Sequence, residues 1–180
     1  MTGKTVSFRV AAGLVGMLAL LLTGCSSIPR APLTETGEKI EMYVLSNRGD
    51  PDEMTERQYA HRNEVGQWME RDLMNILRRS GYEARQISSR DEFEPAPARY
   101  LLEMTIDSYH AGSSAARMMV GYGVGAASQD NSYALYGVGE EPLLDWTDGA
   151  GTSGHWTEIP RVLNRNTVRR ITRYLRLQHP

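Results

Sequence analysis

Three side chains in the middle of the chain carry the groups of a hydrolytic triad. Asp107, His110 and Ser113 are close in sequence, and a serine nucleophile needs an imidazole in hydrogen-bond contact and an acid that orients it. On a regular strand, residues 107 and 110 point to opposite faces, and no nucleophile-elbow motif surrounds Ser113. We therefore predict no catalytic residue and no enzymatic activity, and keep a hydrolase that uses His110 with Ser113 as an alternative.

The histidines and the central glycines lack the spacing of metal or nucleotide sites. The four histidines are His61, His110, His155 and His179. No two of them are four residues apart, the spacing that puts two ligands on one helix face, so we predict no metal site. Gly121, Gly123 and Gly125 form neither a dinucleotide fingerprint nor a phosphate-binding loop with its lysine. Their lack of side chains favours close backbone packing instead.

A regular row of arginines marks the C-terminal segment. Its members, four, four, four and three residues apart, are Arg161, Arg165, Arg169, Arg173 and Arg176. On a helix this spacing makes one basic stripe. Guanidinium groups bind oxyanions such as the phosphates of lipid headgroups or lipopolysaccharide, or an acidic protein. We predict Arg165, Arg169, Arg173 and Arg176 as an interaction surface, with a solvated helix face as the alternative.

Two tryptophans flank residues 148–154, which are rich in glycine and predicted to form a loop. Trp146 and Trp156 could stack on the sugars of a glycan if they were exposed, whereas the alternative for both is packing in the core. Together with the arginine stripe, they motivate a second functional hypothesis, an envelope module that binds glycan or lipopolysaccharide.

Cys25 is the only cysteine, and it follows an export signal. Lys4 and Arg9 precede an apolar run over residues 10–22, which is shorter than the roughly 20 residues that span a bilayer and is typical of a signal peptide. Residues 22–25, Leu-Thr-Gly-Cys, resemble the lipobox of bacterial lipoproteins. That resemblance implies cleavage after residue 24, a diacylglyceryl group on the Cys25 sulfur and an acyl group on its new amino group. An ordinary secretory signal is the alternative.

The residues after Cys25 suggest a destination and a spacer. Ser26 and Ser27 resemble the default sorting pattern that sends lipoproteins of Gram-negative bacteria to the outer membrane, facing the periplasm. Residues 25–37 contain Pro29 and Pro32, which indicates a flexible, lipid-anchored tether before a domain over residues 38–180. The covalent lipid is the only cofactor that we expect.

Composition limits the alternatives. The 180-residue chain has a formal charge of −2, so it has no global attraction to nucleic acid. A single cysteine permits no internal disulfide and no cysteine-based zinc site. The length after the signal suits one domain that is stabilised by its own core.

Apolar periodicity predicts an α+β domain. The predicted strands cover residues 39–46, 81–87, 100–109, 132–137 and 143–147, and the predicted helices cover 55–80 and 159–177. This order indicates a single domain with a mixed or antiparallel sheet of about five strands and two helices packed on it. Gly66 weakens the first half of the first helix by about 1 kcal/mol relative to alanine. The secondary structure of residues 115–127 stays open.

A strand over residues 101–107 is followed by Gly112, Arg117 and the glycine-rich segment 120–126. This order resembles the bacterial lipoproteins of domain of unknown function 4410, whose Gly-Phe-Gly-Ala-Gly-like core has Tyr122 and Val124 here. The resemblance extends loosely over residues 39–177. It implies a cell-envelope lipoprotein with a small α/β domain, similar to periplasmic adaptor lipoproteins, and no catalytic residue.

These observations favour a noncatalytic envelope lipoprotein as the leading hypothesis. We expect a membrane contact through the lipid and a partner that is either another periplasmic or outer-membrane protein or a second copy of the chain. We expect no nucleic acid partner.

Overall fold

Five strands form one mixed sheet in the computed structural model, which describes residues 28–49, 52, 54–112 and 126–179. The strands are β1 (Glu41–Asn47), β2 (Glu83–Ile87), β3 (Arg99–His110), β4 (Ala127–Tyr136) and β5 (Leu144–Thr152). Their order in the sheet is β2-β1-β3-β4-β5. Strand β1 is parallel to both of its neighbours, whereas β3, β4 and β5 are antiparallel. The predicted α+β class is confirmed.

The parallel half of the sheet requires crossover connections because parallel strands cannot be joined by a tight turn. Helix α1 (Glu56–Ser80) connects β1 to β2, and a short 3₁₀ helix (Arg90–Glu92) lies in the connection from β2 to β3. Helix α2 (Glu158–Gln178) follows β5 and packs beside α1. No helix among the described residues is long and apolar enough to cross a membrane.

Helix α1 begins and ends at residues that favour helix termini. The Thr55 hydroxyl accepts the Gln58 N–H, and the Gln58 side chain accepts the Thr55 N–H, which forms a capping box. Gly81 ends the helix in the left-handed conformation (φ 102°). The helix continues through Gly66, where an added Cβ would lie 2.8 Å from Nε of Arg48. Glycine at this position therefore makes room for the Arg48 side chain.

Both helices pack on one face of the sheet, which we call the helix face. Its core contains fully buried side chains from the strands and the helices, among them Met42, Val44, Leu102, Met104, Leu135, Leu73, Leu77, Leu163 and Ile171. The other face, which we call the opposite face, has a smaller cluster of Tyr43, Ile87 and Leu101, with Phe93 and Tyr136 beside it.

Strands β4 and β5 are longer than their apolar patterns predict. Strand β4 begins at Ala127, within the segment that stayed open, and β5 continues to Thr152 through the predicted glycine-rich loop. Gly149 pairs with Asp130 and Gly151 pairs with Ser128. A Cβ on Gly149 would collide with the Asp130 carboxylate. The glycines therefore permit pairing next to bulky polar neighbours rather than marking a loop.

Candidate functional surface

The first described residues lie against the two helices. Ile28 and Ala31 pack against the core of the helix face. The Ala31 N–H donates to the Ser80 carbonyl at 2.7 Å, and Arg176 Nη2 donates to the Arg30 carbonyl at 2.9 Å. Residues 28–31 of the predicted tether are thus held by contacts with the domain, and the chain reaches the domain at the C-terminal end of α1.

The arginine row of α2 divides between two surfaces, except for Arg176, which lines neither of them. Arg161 and Arg165 line a cavity of about 260 Å³ together with Arg79 of α1 and Ile28, and we call it the N-terminal basic cavity. Arg169 and Arg173 line a separate groove of about 460 Å³ beside β5. The division follows from the helical twist, because a row at four-residue spacing drifts around the helix axis.

The N-terminal basic cavity has an excess of positive charge. The Arg161 guanidinium lies 5.7 Å from the centre of the Trp68 ring, and Arg79 Nε donates to its own helix at the Asn75 carbonyl. Asp72 is the carboxylate of the lining, and its Oδ2 accepts a 2.9 Å hydrogen bond from Asn164. Three guanidinium groups facing one carboxylate can bind an oxyanion.

The groove beside β5 is also basic. Asp148 Oδ2 accepts a hydrogen bond from Asn166 Nδ2 at 3.0 Å, and the guanidinium of Arg170 lies 5.5 Å from the centre of the Trp146 ring. No arginine of α2 forms an ion pair with any residue in 28–49, 52, 54–112 or 126–179. The side chains of Arg79, Arg161, Arg165, Arg170 and Arg173 are exposed, and that of Arg169 is half-buried.

The two tryptophans lie in different environments. Trp146 is 7% exposed and stacks on Tyr133, with ring centres 4.9 Å apart. It is a core residue and cannot stack on a sugar. Trp156 is half-buried and meets Trp68 edge-on at 6.1 Å. Core packing therefore holds for Trp146, and Trp156 is left as the candidate for stacking on a sugar.

A β-bulge changes the prediction for Asp107 and His110. The register between β3 and β4 shifts between Ile106 and Ser108, and the extra residue reverses the alternation after it. The Asp107 carboxylate accepts a hydrogen bond from Ser132 on the opposite face, and His110 pairs with Ser128 on that same face. The expectation that residues 107 and 110 point to opposite faces was wrong for this reason. Ser113 lies outside the described residues.

A cavity of about 770 Å³ lies at the end of the sheet near His110. His61, Arg62, Tyr109 and Gly112 are among its lining residues. Gly112 has a left-handed backbone (φ 73°). The other motif glycines, Gly121, Gly123 and Gly125, and the lipidation residue Cys25 lie outside the described residues. Within the described part, no group of three histidine, cysteine, aspartate or glutamate residues could hold a metal ion.

Buried polar residues under the helices were not identified from the sequence. Glu70 is 5% exposed and accepts hydrogen bonds from Arg48 at 2.7 Å and from Gln86 at 2.9 Å. Gln129 and Asn131 of β4 are fully buried and hydrogen-bonded to each other at 2.8 Å. Glu70 directly follows the buried Met69 in α1. A charged residue next to the apolar side of a helix is the one sequence signal that could have indicated an internal ion pair.

Two buried tyrosines on the helix face resist ionisation. Burial raises the pKa of Tyr82 to about 12, although a hydrogen bond with Thr172 opposes the shift. Burial likewise raises the pKa of Tyr133 to about 12. The phenolate form is disfavoured because a charge in the core loses its hydration.

Comparison with known proteins identifies a family. A family model described as "Domain of unknown function (DUF4410)" matches residues 35–155, and no curated protein matches the chain. Similar folds occur in a PelC dodecamer from Paraburkholderia phytofirmans, with 14% identity, a TM-score of 0.50 and coverage of 79% of this chain and 92% of that one. That structure is of a point variant; the PelC dodecamer without this substitution, from the same organism, has 14% identity, a TM-score of 0.47 and coverage of 82% and 92%.

A third structure is a putative neuraminyllactose-binding hemagglutinin homolog from Helicobacter pylori, with 10% identity, a TM-score of 0.34 and coverage of 81% of this chain and 87% of that one. At 14% identity, the first of these structures shows a likeness of fold only. The family match covers well over half of the chain, so the chain belongs to the DUF4410 family, as its central glycine-rich segment predicted.

Proposed function

We propose that this chain is a noncatalytic bacterial lipoprotein that is anchored by acyl chains on Cys25 in the outer membrane and acts as a protein-interaction or assembly module facing the periplasm. The observation that carries the proposal is Leu-Thr-Gly-Cys at residues 22–25, placed after a basic start and a short apolar run. One acyl chain binds a membrane marginally, whereas two or three hold a protein stably.

The edge strand β5 supports an assembly role. Among the described residues, β5 pairs only with β4, so the N–H and C=O groups of its other edge can pair with an added strand. The fold neighbour PelC was crystallised as a dodecamer. A second copy of the chain is therefore the first partner to test.

The anchor is tested by expressing the full chain in a Gram-negative host and determining the mass of its mature N-terminus. We expect the mature protein to begin at Cys25 with acyl chains attached, and to fractionate with the outer membrane. The Cys25→Ser variant should stay unprocessed or no longer fractionate with the membrane, whereas the Ser27→Ala variant should behave as the unaltered chain. A mature protein with a free Cys25 thiol would contradict the proposal.

The assembly role is tested on the lipidated protein in detergent. We expect its mass by light scattering or native mass spectrometry to correspond to an oligomer. A monomer at the concentration found in cells would exclude self-assembly, and crosslinking in cells would then identify the other partner.

A second candidate, an envelope module that binds lipopolysaccharide, is favoured by the available arginines beside β5. Its test is titration with purified lipopolysaccharide. We expect Arg169→Gln with Arg173→Gln to weaken binding if this groove is the site, and Trp156→Phe to weaken it only if a sugar stacks there.

A further inference from the structure

The N-terminal basic cavity lies where the chain reaches the domain. Ile28 lines this cavity with Arg79, Arg161 and Arg165, and Ile28 is itself held against the core. The position of any group attached upstream of Ile28 is therefore limited by the few residues that separate them.

The distance between the anchor and the cavity is short. Three residues after Cys25 bring the chain to Ile28, and three extended residues span at most about 11 Å. Acyl chains on Cys25 place its backbone in the headgroup layer, which is about 5 to 8 Å thick on each side of a bilayer. The cavity is thus held next to the headgroups, within about one to two Debye lengths at physiological ionic strength.

The charge of the cavity complements the phosphates found there. Arg161 and Arg165 are one helical turn apart on α2, with Arg79 across from them on α1. Asp72 lines the same cavity, so three guanidinium charges stand against one carboxylate charge. Guanidinium groups match the phosphate oxygens of a headgroup through paired N–H donors.

We propose that Arg79, Arg161 and Arg165 bind headgroup phosphates of the bilayer that holds Cys25, and so orient the domain with its helices toward the membrane and the opposite face of the sheet away from it. This inference rests on the proposed lipid anchor. A basic side chain at an anionic surface strengthens binding by roughly fivefold, and three together by on the order of 100-fold.

The test uses the lipidated protein in vesicles and its own tryptophans. Trp68 lies under Arg161 and touches Trp156, so both report on the cavity, while the buried Trp146 supplies a background. Vesicles of phosphatidylcholine alone or with phosphatidylglycerol carry a spin label on a fraction of the headgroups. We expect stronger tryptophan quenching in the vesicles that contain phosphatidylglycerol. This additional quenching is the increment, and it should fall by roughly fivefold for each arginine that is replaced by glutamine.

Matched controls separate charge at the cavity from charge elsewhere. Arg57→Gln, Arg85→Gln and Arg90→Gln remove the same charge from exposed positions outside the cavity and should leave quenching unchanged. Replacement of the three cavity arginines by lysine should preserve most of the increment, and the near-ultraviolet circular dichroism of every variant should match the unaltered chain.

The outcomes distinguish this inference from the proposed function. One outcome is equal quenching in both kinds of vesicle and in the triple glutamine variant, while mass spectrometry finds acyl chains on Cys25. This outcome would overturn the proposed orientation of the domain, and the proposed lipid anchor would stand. Absence of acyl chains from Cys25 would overturn both. An increment that the control variant removes equally would show attraction by net charge and would also overturn the inference.

Discussion

The two faces of the sheet differ in how many side chains they bury. The helix face is covered by α1 and α2 and contains most of the core, including buried polar groups such as Glu70 and Gln129. The opposite face has a cluster of three buried residues, and β4 and β5 present short polar side chains there, such as Ser132 and Thr147. We infer that the helix face carries the stability of the domain, whereas the opposite face is under less structural constraint.

The largest expected difference concerns two neighbouring leucines. Leu101 and Leu102 are both fully buried in β3 but lie on different faces. We expect Leu102→Ala to lower the free energy of unfolding by about 4 kcal/mol and Leu101→Ala by about 2 kcal/mol, because the larger core leaves the larger unfilled cavity. Urea unfolding followed by tryptophan fluorescence measures both. Equal losses would mean that the two faces contribute equally.

The ion pair on the helix face should likewise contribute more to the free energy of unfolding than the ion pair on the opposite face. Arg48 and Glu70 pair at 2.7 Å and the side chain of the glutamate is 7% exposed, whereas Arg90 and Glu103 pair at 3.5 Å with side chains that are 50% and 26% exposed. We expect Glu70→Gln to cost about 3 kcal/mol, because it leaves the partly buried Arg48 charge uncompensated. Glu103→Gln should cost less than about 1 kcal/mol. The same urea experiment tests this difference, and a similar cost for both would refute it.

Alkaline pH should weaken the helix face. The pKa values of Tyr82 and Tyr133 are about 12 in the folded chain and about 10 when unfolded. Above pH 10 the unfolded chain therefore binds fewer protons than the folded chain, so stability falls as pH rises from 10 to 12. We expect a combined loss of about 2 to 3 kcal/mol at pH 11.

Thermal unfolding at pH 9 and pH 11, with absorbance at 295 nm to follow ionisation, measures this loss. Tyr82→Phe should remove about half of the pH dependence. If the tyrosines of the folded chain ionise near pH 10, the burial that we assign to this face is incorrect.

The smallest expected effect is at Gly66. We expect Gly66→Ala to destabilise the chain by about 1 kcal/mol, because a Cβ would meet Nε of Arg48 at 2.8 Å and this outweighs the gain in helix propensity. In an Arg48→Ala background the obstacle is gone, and the same change should stabilise the chain by up to about 1 kcal/mol. Urea unfolding of the four variants completes the cycle, and an unchanged sign in both backgrounds would contradict the packing role.

Regular elements with a clear apolar period were predictable. Helix α1 was expected over residues 55–80 and occupies Glu56–Ser80, and β3 was expected over 100–109 and occupies Arg99–His110. Local signals, such as the Thr55 cap and Gly81, set the ends of α1 because they act within one turn of the helix.

Features that depend on contacts with distant parts of the chain were not predictable from the sequence. Gln129 and Asn131 look like loop residues in the sequence, yet they are buried in β4. Both side chains hydrogen-bond within β4, and Gln129 also donates to the sulfur of Met69, a contact that forms only once α1 covers the sheet. The bulge after Ile106 also has no local signal, although it decides that Asp107 and His110 share a face.

Residue patterns alone predict the α+β class, the two amphipathic helices, the family to which the chain belongs and the arginine row of α2, because each depends on residue types at short, regular spacing. The division of this row between two surfaces and the place of Trp146 in the core follow from the folded arrangement instead. It also brought Ile28 beside Arg79, Arg161 and Arg165. These arrangements depend on contacts between residues far apart in the chain, which a local pattern does not encode.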